Sequence, residues 1–183
     1  MAVRPIVRLG HPALRTPAEP LTAEQLATPG VQALIDDLFD TMIEAGGVGL
    51  AAPQVDEPVQ LFVYLAVDAR GEQQAEPQRR VLVNPMLEPL GGELIYDWEG
   101  CLSIPDLRGL VPRHPEVRVH ALDRHGERLT FRAEGYEARI VQHEFDHLNG
   151  VVFLDRMRDL HSLAFSAEWE AYMVAADDEA AVG

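Results

Sequence analysis

The chain has one cysteine, Cys101. A single thiol excludes an intramolecular disulfide, so no oxidative framework holds the fold. Basic residues are scarce as well: 15 stand against 30 acidic ones, for a net charge of −15. A field of that sign excludes a broad electrostatic grip on nucleic acid, and no direct nucleic-acid partner is expected. Long apolar runs are missing too. No stretch approaches the length of a membrane span. The opening residues Met1 to Arg8 lack the apolar core of a signal peptide. These absences lead to the expectation of a cytoplasmic protein with no membrane partner. No repeat or linker interrupts the sequence, and 183 residues can bury a core without staples. One domain over 1–183 is expected, with a frayed tail from about residue 177.

What is present is a series of clear periodic segments. Residues 1–20 read as an extended arm or short strands. Thr28 caps a helix that starts with Pro29. Val31, Leu34, Ile35, Leu38, Phe39, Met42 and Ile43 give it an unbroken apolar stripe, and Gly46 and Gly47 end it. Leu61–Val67 is a buried strand, residues 68–80 an exposed polar loop, and Val81–Val83 the start of another strand. Asn84-Pro85 and Gly91-Gly92 are turn signals, and Glu93–Trp98 is strand-like. Val117–Leu122 and Arg128–Ala133 alternate with period two around a hairpin turn at Asp123–Gly126. A helix over Tyr136–Asn149 ends at Gly150. Val151–Leu154 reads as a short strand, and residues 159–175 as a closing amphipathic helix that packs without chemistry. The fold class expected is α+β: mixed or antiparallel strands around a central metal-binding helix, with an N-terminal amphipathic helix and a C-terminal one.

The chemistry concentrates in Gln142-His143-Glu144-Phe145-Asp146-His147. Its H-E-x-x-H core puts His143 and His147 on one helical face, one turn apart, able to share a metal ion. Glu144 stands beside them, within reach of a water on that metal. Two histidines do not close a site. The other five histidines lack a spacing that pairs them with the motif. Cys101, as a thiolate, would complete a three-ligand set with an open fourth position, as catalytic metals require. The run Gly47-Val48-Gly49-Leu50-Ala51-Ala52-Pro53-Gln54 is open to two readings, a tight turn or a close approach of another backbone. Gln54 offers a neutral amide donor that can face a developing negative charge. Arg108 and Arg113 are candidates to pair with Glu99 or Asp146, or else to make surface salt bridges.

Together these segments resemble the peptide deformylase family. The stretch 47–54, Glu99-Gly100-Cys101-Leu102-Ser103, and Gln142 to His147 are similar to that family's three motifs, in its order and with similar separations. The similarity extends over most of residues 5–155. The resemblance implies that Cys101, His143 and His147 are metal ligands and that Glu144 is the general acid and base. It implies that Gln54 and the backbone N–H of Leu102 stabilise the oxyanion. Val48, Gly49, Gly100, Tyr136 and Ile140 would contact the substrate. The implied cofactor is one divalent ion per chain, natively Fe(2+), with Zn, Ni or Co as substitutes. The implied reaction is removal of the N-formyl group from the initiator methionine of nascent polypeptides, with transient ribosome association and release of formate. Three other readings remain: a zinc peptidase, a binding module without turnover, and a thiol enzyme with Cys101 as nucleophile.

Overall fold

The computed structural model describes residues 2–67 and 73–174. An extended arm with a 3-10 turn at Pro12–Arg15 leads to a one-turn helix α1 (Ala23–Leu26) and to helix α2 (Pro29–Glu44). Strands β1 (Gly49–Ala51), β2 (Leu61–Val67), β3 (Gln73–Pro89), β4 (Ile95–Cys101), β5 (Ile104–Arg113), β6 (Glu116–Leu122) and β7 (Arg128–Glu134) follow. The chain closes with α3 (Gly135–Leu148), α4 (Phe153–Arg156), β8 (Ala164–Phe165) and α5 (Ser166–Tyr172). The strands pair antiparallel in two sheets, β1-β2-β3-β6-β7 and β4-β5-β8. This is the α+β class expected.

Strand β2 shows why its sequence is an unbroken apolar run. Leu61 and Val63 point to a core built with α2, through Leu34, Ile35, Leu38 and Met42. Phe62, Tyr64 and Ala66 point the other way, to a core built with α3, through Ala138, Val141 and Leu148. Successive strand side chains alternate faces, so a strand covered on both sides must be apolar throughout. Helix α2 begins as the sequence indicates: Thr28 Oγ1 accepts from Val31 N–H at 3.4 Å, and Pro29 is the first helical residue. Helix α3 therefore lies between the five-stranded sheet on one side and β4–β5 on the other.

The structure corrects several sequence-based expectations. Residues 73–80 are not loop but the first part of β3, paired with β2; residues 68–72 lie outside the described residues. Backbone pairing needs no apolar pattern, and Arg79 and Arg80 lay their guanidinium groups over the rings of Phe39 and Phe131 at 5.1 and 5.6 Å. Asn84-Pro85 is not a turn but a bulge inside β3, where the register with β6 shifts between Val83 and Met86. Asn84 holds φ at +48°, a conformation asparagine tolerates. Residues 151–154 are not a strand. Gly150 turns the chain at φ +70°, and Asp155 Oδ2 accepts from Val152 N–H at 2.9 Å to start α4. The closing helix is shorter than expected, because Ala164 and Phe165 extend to pair with Arg108 and Leu107 of β5. The tail from residue 177 lies outside the described residues.

Asn84 also bridges distant segments: its side chain accepts from Leu21 N–H at 2.9 Å and donates to Leu21 C=O at 2.8 Å. Asn84→Ala leaves both Leu21 groups without these partners, and the expected loss is about 1–3 kcal/mol of folding stability. Chemical denaturation should show a lower midpoint at an unchanged slope.

Candidate metal centre

Helix α3 presents His143 and His147 one turn apart, with ring centroids 5.0 Å from each other and planes at 76°. The end of β4 brings Cys101 to the same point, its Sγ 3.3 Å from His147 Nε2. One ligand atom from each of the three residues lies within 4.8 Å of the others. Two distant stretches of sequence thus converge on a sulfur and two imidazoles.

Glu99 controls the orientation of His143. It precedes Cys101 by two residues in β4 and is buried. Its Oε2 lies 2.8 Å from His143 Nδ1. A proton on Nδ1 donated to that carboxylate turns Nε2 toward Cys101 and His147, the usual arrangement of a metal-ligating histidine. Arg113 forks onto the same carboxylate, with Nε and Nη2 at 2.9 and 3.0 Å from Oε1 and Oε2. Arg139 adds Nη1 at 2.8 Å, and its guanidinium also donates to the carbonyls of Ile95 and Val111. Burial opposes ionisation of Glu99, but its hydrogen bonds from His143 and Arg113 outweigh it and hold the carboxyl well below the usual range. Arg113 continues to Asp146 Oδ2 at 2.6 Å, and Arg156 reaches Asp146 Oδ1 at 2.5 Å. Arg113 thus makes both pairs expected for it, buried rather than on the surface. Arg108 makes neither and lines the cleft described below.

The electrostatics suit a cation. Burial, and then the charges on His143 and Arg113, push His147 well below the ordinary imidazole value, leaving a neutral ring. Burial works against the proton on His143, but Cys101 and Glu99 overcome it and raise this ring well above its ordinary value. A sulfur donor, two imidazoles and a buried carboxylate behind one of them form the charge pattern a divalent ion neutralises. The residues therefore fit a metal.

Glu144 is buried, and burial pushes its carboxyl up to about 7. Its Oε2 has no protein partner among the described residues. Gly49 is what admits it: a Cβ at Gly49 would lie 2.8 Å from Glu144 Cδ. Gly47 similarly leaves room for Leu102, whose Cδ1 would be 2.7 Å from a Cβ there. What comes close to the run 47–54 is thus a pair of side chains, Leu102 and Glu144, rather than the other backbone expected. Gln54 is buried, with Oε1 held by Ala51 N–H at 2.8 Å. That bond directs Nε2 to Ser103 Oγ at 3.2 Å and to Cys101 Sγ at 3.6 Å.

These groups border one cleft of about 430 Å³. Val48, Gly49, Gly100, Leu102, Tyr136 and Ile140 all line it, together with Gln54, Cys101, His143 and Glu144. Of the three clustered residues, His147 is the one set back from the cleft, fully buried. The sequence reading had no role for Arg139 and Ser166, which also line the cleft. Arg139 carried a signal, being a cation one turn before His143 on the same helix.

A profile of the polypeptide deformylase family matches residues 3–162. Peptide deformylase 2 of Bordetella bronchiseptica is 46% identical over 166 residues, covering 90% of this chain and 93% of that protein. Peptide deformylase 1 of Nitrosomonas europaea is 38% identical, covering 96% of this chain and 99% of that one. The class I type b peptide deformylase of Acinetobacter baumannii, solved with Met-Ala-Ser bound, superposes with a TM-score of 0.78 at 38% identity. It covers 85% of this chain and 99% of that one.

The buried ion network yields a stability prediction. Arg113→Met leaves Glu99 and Asp146 short of their shared cation and should cost about 3–5 kcal/mol. The unfolded Glu99 carboxyl titrates near 4.3 and the folded one well below it. Its contribution to stability is therefore present above that unfolded value and is lost as pH falls through the folded one. Thermal melts of both proteins from pH 7 down to pH 3 should show a smaller acid loss in Arg113→Met.

Proposed function

The chain belongs to the polypeptide deformylase family, and we propose that Cys101, His143 and His147 hold its metal, Glu144 carries the proton, and Gln54 with the Leu102 N–H steadies the oxyanion. As a member of that family it is a metal-dependent hydrolase that removes the N-formyl group from nascent peptides. The observation that carries the residue assignment is the meeting, in one cleft, of a Cys-His-His cluster and a buried carboxyl raised to about 7.

Deformylation adds water across the formyl C–N bond. The water oxygen bonds to the formyl carbon, the C–N bond breaks, and a proton must travel from the water to the leaving nitrogen. A bound divalent ion supplies Lewis acidity, which makes water a better nucleophile and polarises the formyl oxygen. The rest falls to side chains. Glu144 accepts the proton and returns it to the amine, and a carboxyl poised near neutrality does both efficiently. Gln54 is oriented by Ala51, so its Nε2 can turn from the long contact with Cys101 toward a developing oxyanion. The Leu102 N–H follows the sulfur ligand directly and supplies a second donor. Each such donor contributes about 3 kcal/mol of transition-state stabilisation. Val48, Tyr136 and Ile140 form walls for the methionine side chain, with Gly49 and Gly100 beside the peptide backbone. The meeting of Cys101 Sγ with two imidazoles, where a thiol nucleophile needs only one, supports a ligand role over a nucleophile role.

The native ion in this reading is Fe(2+), with Zn, Ni or Co as substitutes. One thiolate and two imidazoles suit all four, and the family resemblance favours iron. The substrates are formyl-methionyl chains met transiently at the ribosome, in the cytoplasm. The peptide bound to the Acinetobacter baumannii relative supports a peptide ligand. No helix among the described residues is long and apolar enough to cross a membrane.

Three measurements test the assignment. Glu144→Gln should keep its metal and lose about 10²–10⁴-fold in the rate of formate release from a formyl-methionyl peptide; a variant with most of its rate would remove Glu144 from the mechanism. Gly49→Ala should displace the Glu144 carboxylate and reduce kcat steeply without a comparable fall in Tm. Chelation should abolish activity and Fe(2+) added under anaerobic conditions should restore it, whereas full activity in the chelated sample would favour a thiol mechanism.

A further inference from the structure

Ser166 belongs to α5, yet it lines the same cleft as Cys101 and Glu144. The C-terminal segment is stitched along β5 to reach that position. Ser162 Oγ accepts from Leu110 N–H at 3.1 Å, and Ala164 and Phe165 pair with Arg108 and Leu107. Trp169 of α5 then lies against Trp98 of β4, with ring centroids 5.8 Å apart. The Arg108 guanidinium sits over the Trp169 ring, 5.3 Å from its centroid.

Arg108 lines the cleft, and its position there is closely defined. Its Nη1 would be 2.6 Å from a Cβ on Gly100, so the guanidinium lies close against the glycine backbone. On its other side is the face of Trp169. Arg113 and Arg139 each spend their donors on Glu99, but among the described residues no carboxylate pairs with Arg108. Stacking occupies the faces of a guanidinium and leaves its in-plane N–H groups to donate. An oriented cation without an ion-pair partner among the described residues therefore lines the cleft beside Gly100.

We propose that Trp169 is a positioning residue for substrate: it holds the Arg108 guanidinium in the lining of the cleft, where Arg108 donates to carbonyl or carboxylate oxygens of the peptide beyond its formyl-methionine. The inference rests on the deformylase reading of the cleft. Trp169 lies outside the family match, which ends at residue 162, whereas Arg108 lies within it. The C-terminal segment is then a wall of the substrate site rather than packing alone.

The test uses metal-loaded enzyme and two substrates, formyl-Met-Ala-Ser and formyl-methionine amide, which ends before the region Arg108 reaches. Trp169→Ala should lower the ratio of kcat/KM for the tripeptide to that for the amide by about three- to tenfold, through KM. Trp169→Phe, which keeps a ring under the guanidinium, should restore most of the ratio. Arg108→Ala should lower it at least as far, and adding Trp169→Ala to Arg108→Ala should lower it no further. An unchanged ratio in Trp169→Ala, or additive effects in the double variant, would overturn the proposal. Arg108→Ala keeps the question open to refutation if loss of Trp169 unfolds α5, because an unchanged ratio in that variant also overturns it. Absence of formate release by wild-type enzyme from both substrates would instead overturn the deformylase reading, and this proposal with it.

Discussion

Moving a carboxylate from water into a protein interior costs several kcal/mol unless donors surround it. Glu99 is buried where β4, β5 and α3 meet, and each element supplies something: β4 the carboxylate, β5 Arg113, and α3 Arg139 and His143. The same carboxylate that fixes the His143 ring thus joins the three-stranded sheet to the central helix. Arg113 carries the alternation of charge on to Asp146 and from there to Arg156 of α4. Stability alone does not demand such a network, since apolar replacements of similar volume often do as well. What an apolar side chain could not do is accept the Nδ1 proton and aim Nε2 at Cys101. The arrangement is best understood as a ligand-orienting device that also serves as a structural joint.

The opposite side of α3 depends on a dimension rather than a charge. Strand β1 is three residues long, and its parity sets the site. Leu50 faces the α2 core, so Gly49 and Ala51 face α3. Glu144 occupies the space a side chain at Gly49 would take, and Ala51 donates its N–H to Gln54. A strand of minimal bulk therefore sets the carboxylate and the amide on one side of the cleft. The close fit also keeps water from the carboxylate, and that is why its acidity is shifted to about 7.

Local patterns were legible in the sequence, and partnerships were less so. The stripes of α2 and α3, the Thr28 cap and the 123–126 hairpin depend on neighbours in sequence. The H-E-x-x-H spacing pointed to two imidazoles on one helical face, and the sole thiol, Cys101, does meet them in the structure. The first half of β3 was illegible because its partner is a backbone edge, which asks nothing of side-chain hydrophobicity. Asn84-Pro85 misled because the residues that favour turns also favour bulges. In the site, Glu99 stood two residues from Cys101, with an irregularity in the strand pairing between them. Arg108 and Arg113 are five apart in β5 and must point to opposite faces. Only one of them could meet Glu99, and the parity argument was available from sequence once β5 was recognised as a strand.

The C-terminal stretch shows the limit of periodicity in another way. Leu160, Phe165 and Tyr172 are 66%, 63% and 76% exposed, so the apolar spacing over 159–175 does not mark a buried helical face. Net charge misleads similarly about the cleft. All 15 basic residues of this strongly acidic chain are arginine. Arg113 reaches Glu99 from β5, Arg139 reaches it from α3, and Arg108 lines the cleft. Arginine suits those places because its fork satisfies a carboxylate with two parallel bonds and its plane stacks on a ring, neither of which an ammonium can do. The charge that matters for a peptide entering the cleft is therefore set by which of these guanidinium groups already has a carboxylate. By that criterion the acidic surface elsewhere on the molecule has little influence at short range, since salt screens it beyond about 8–10 Å.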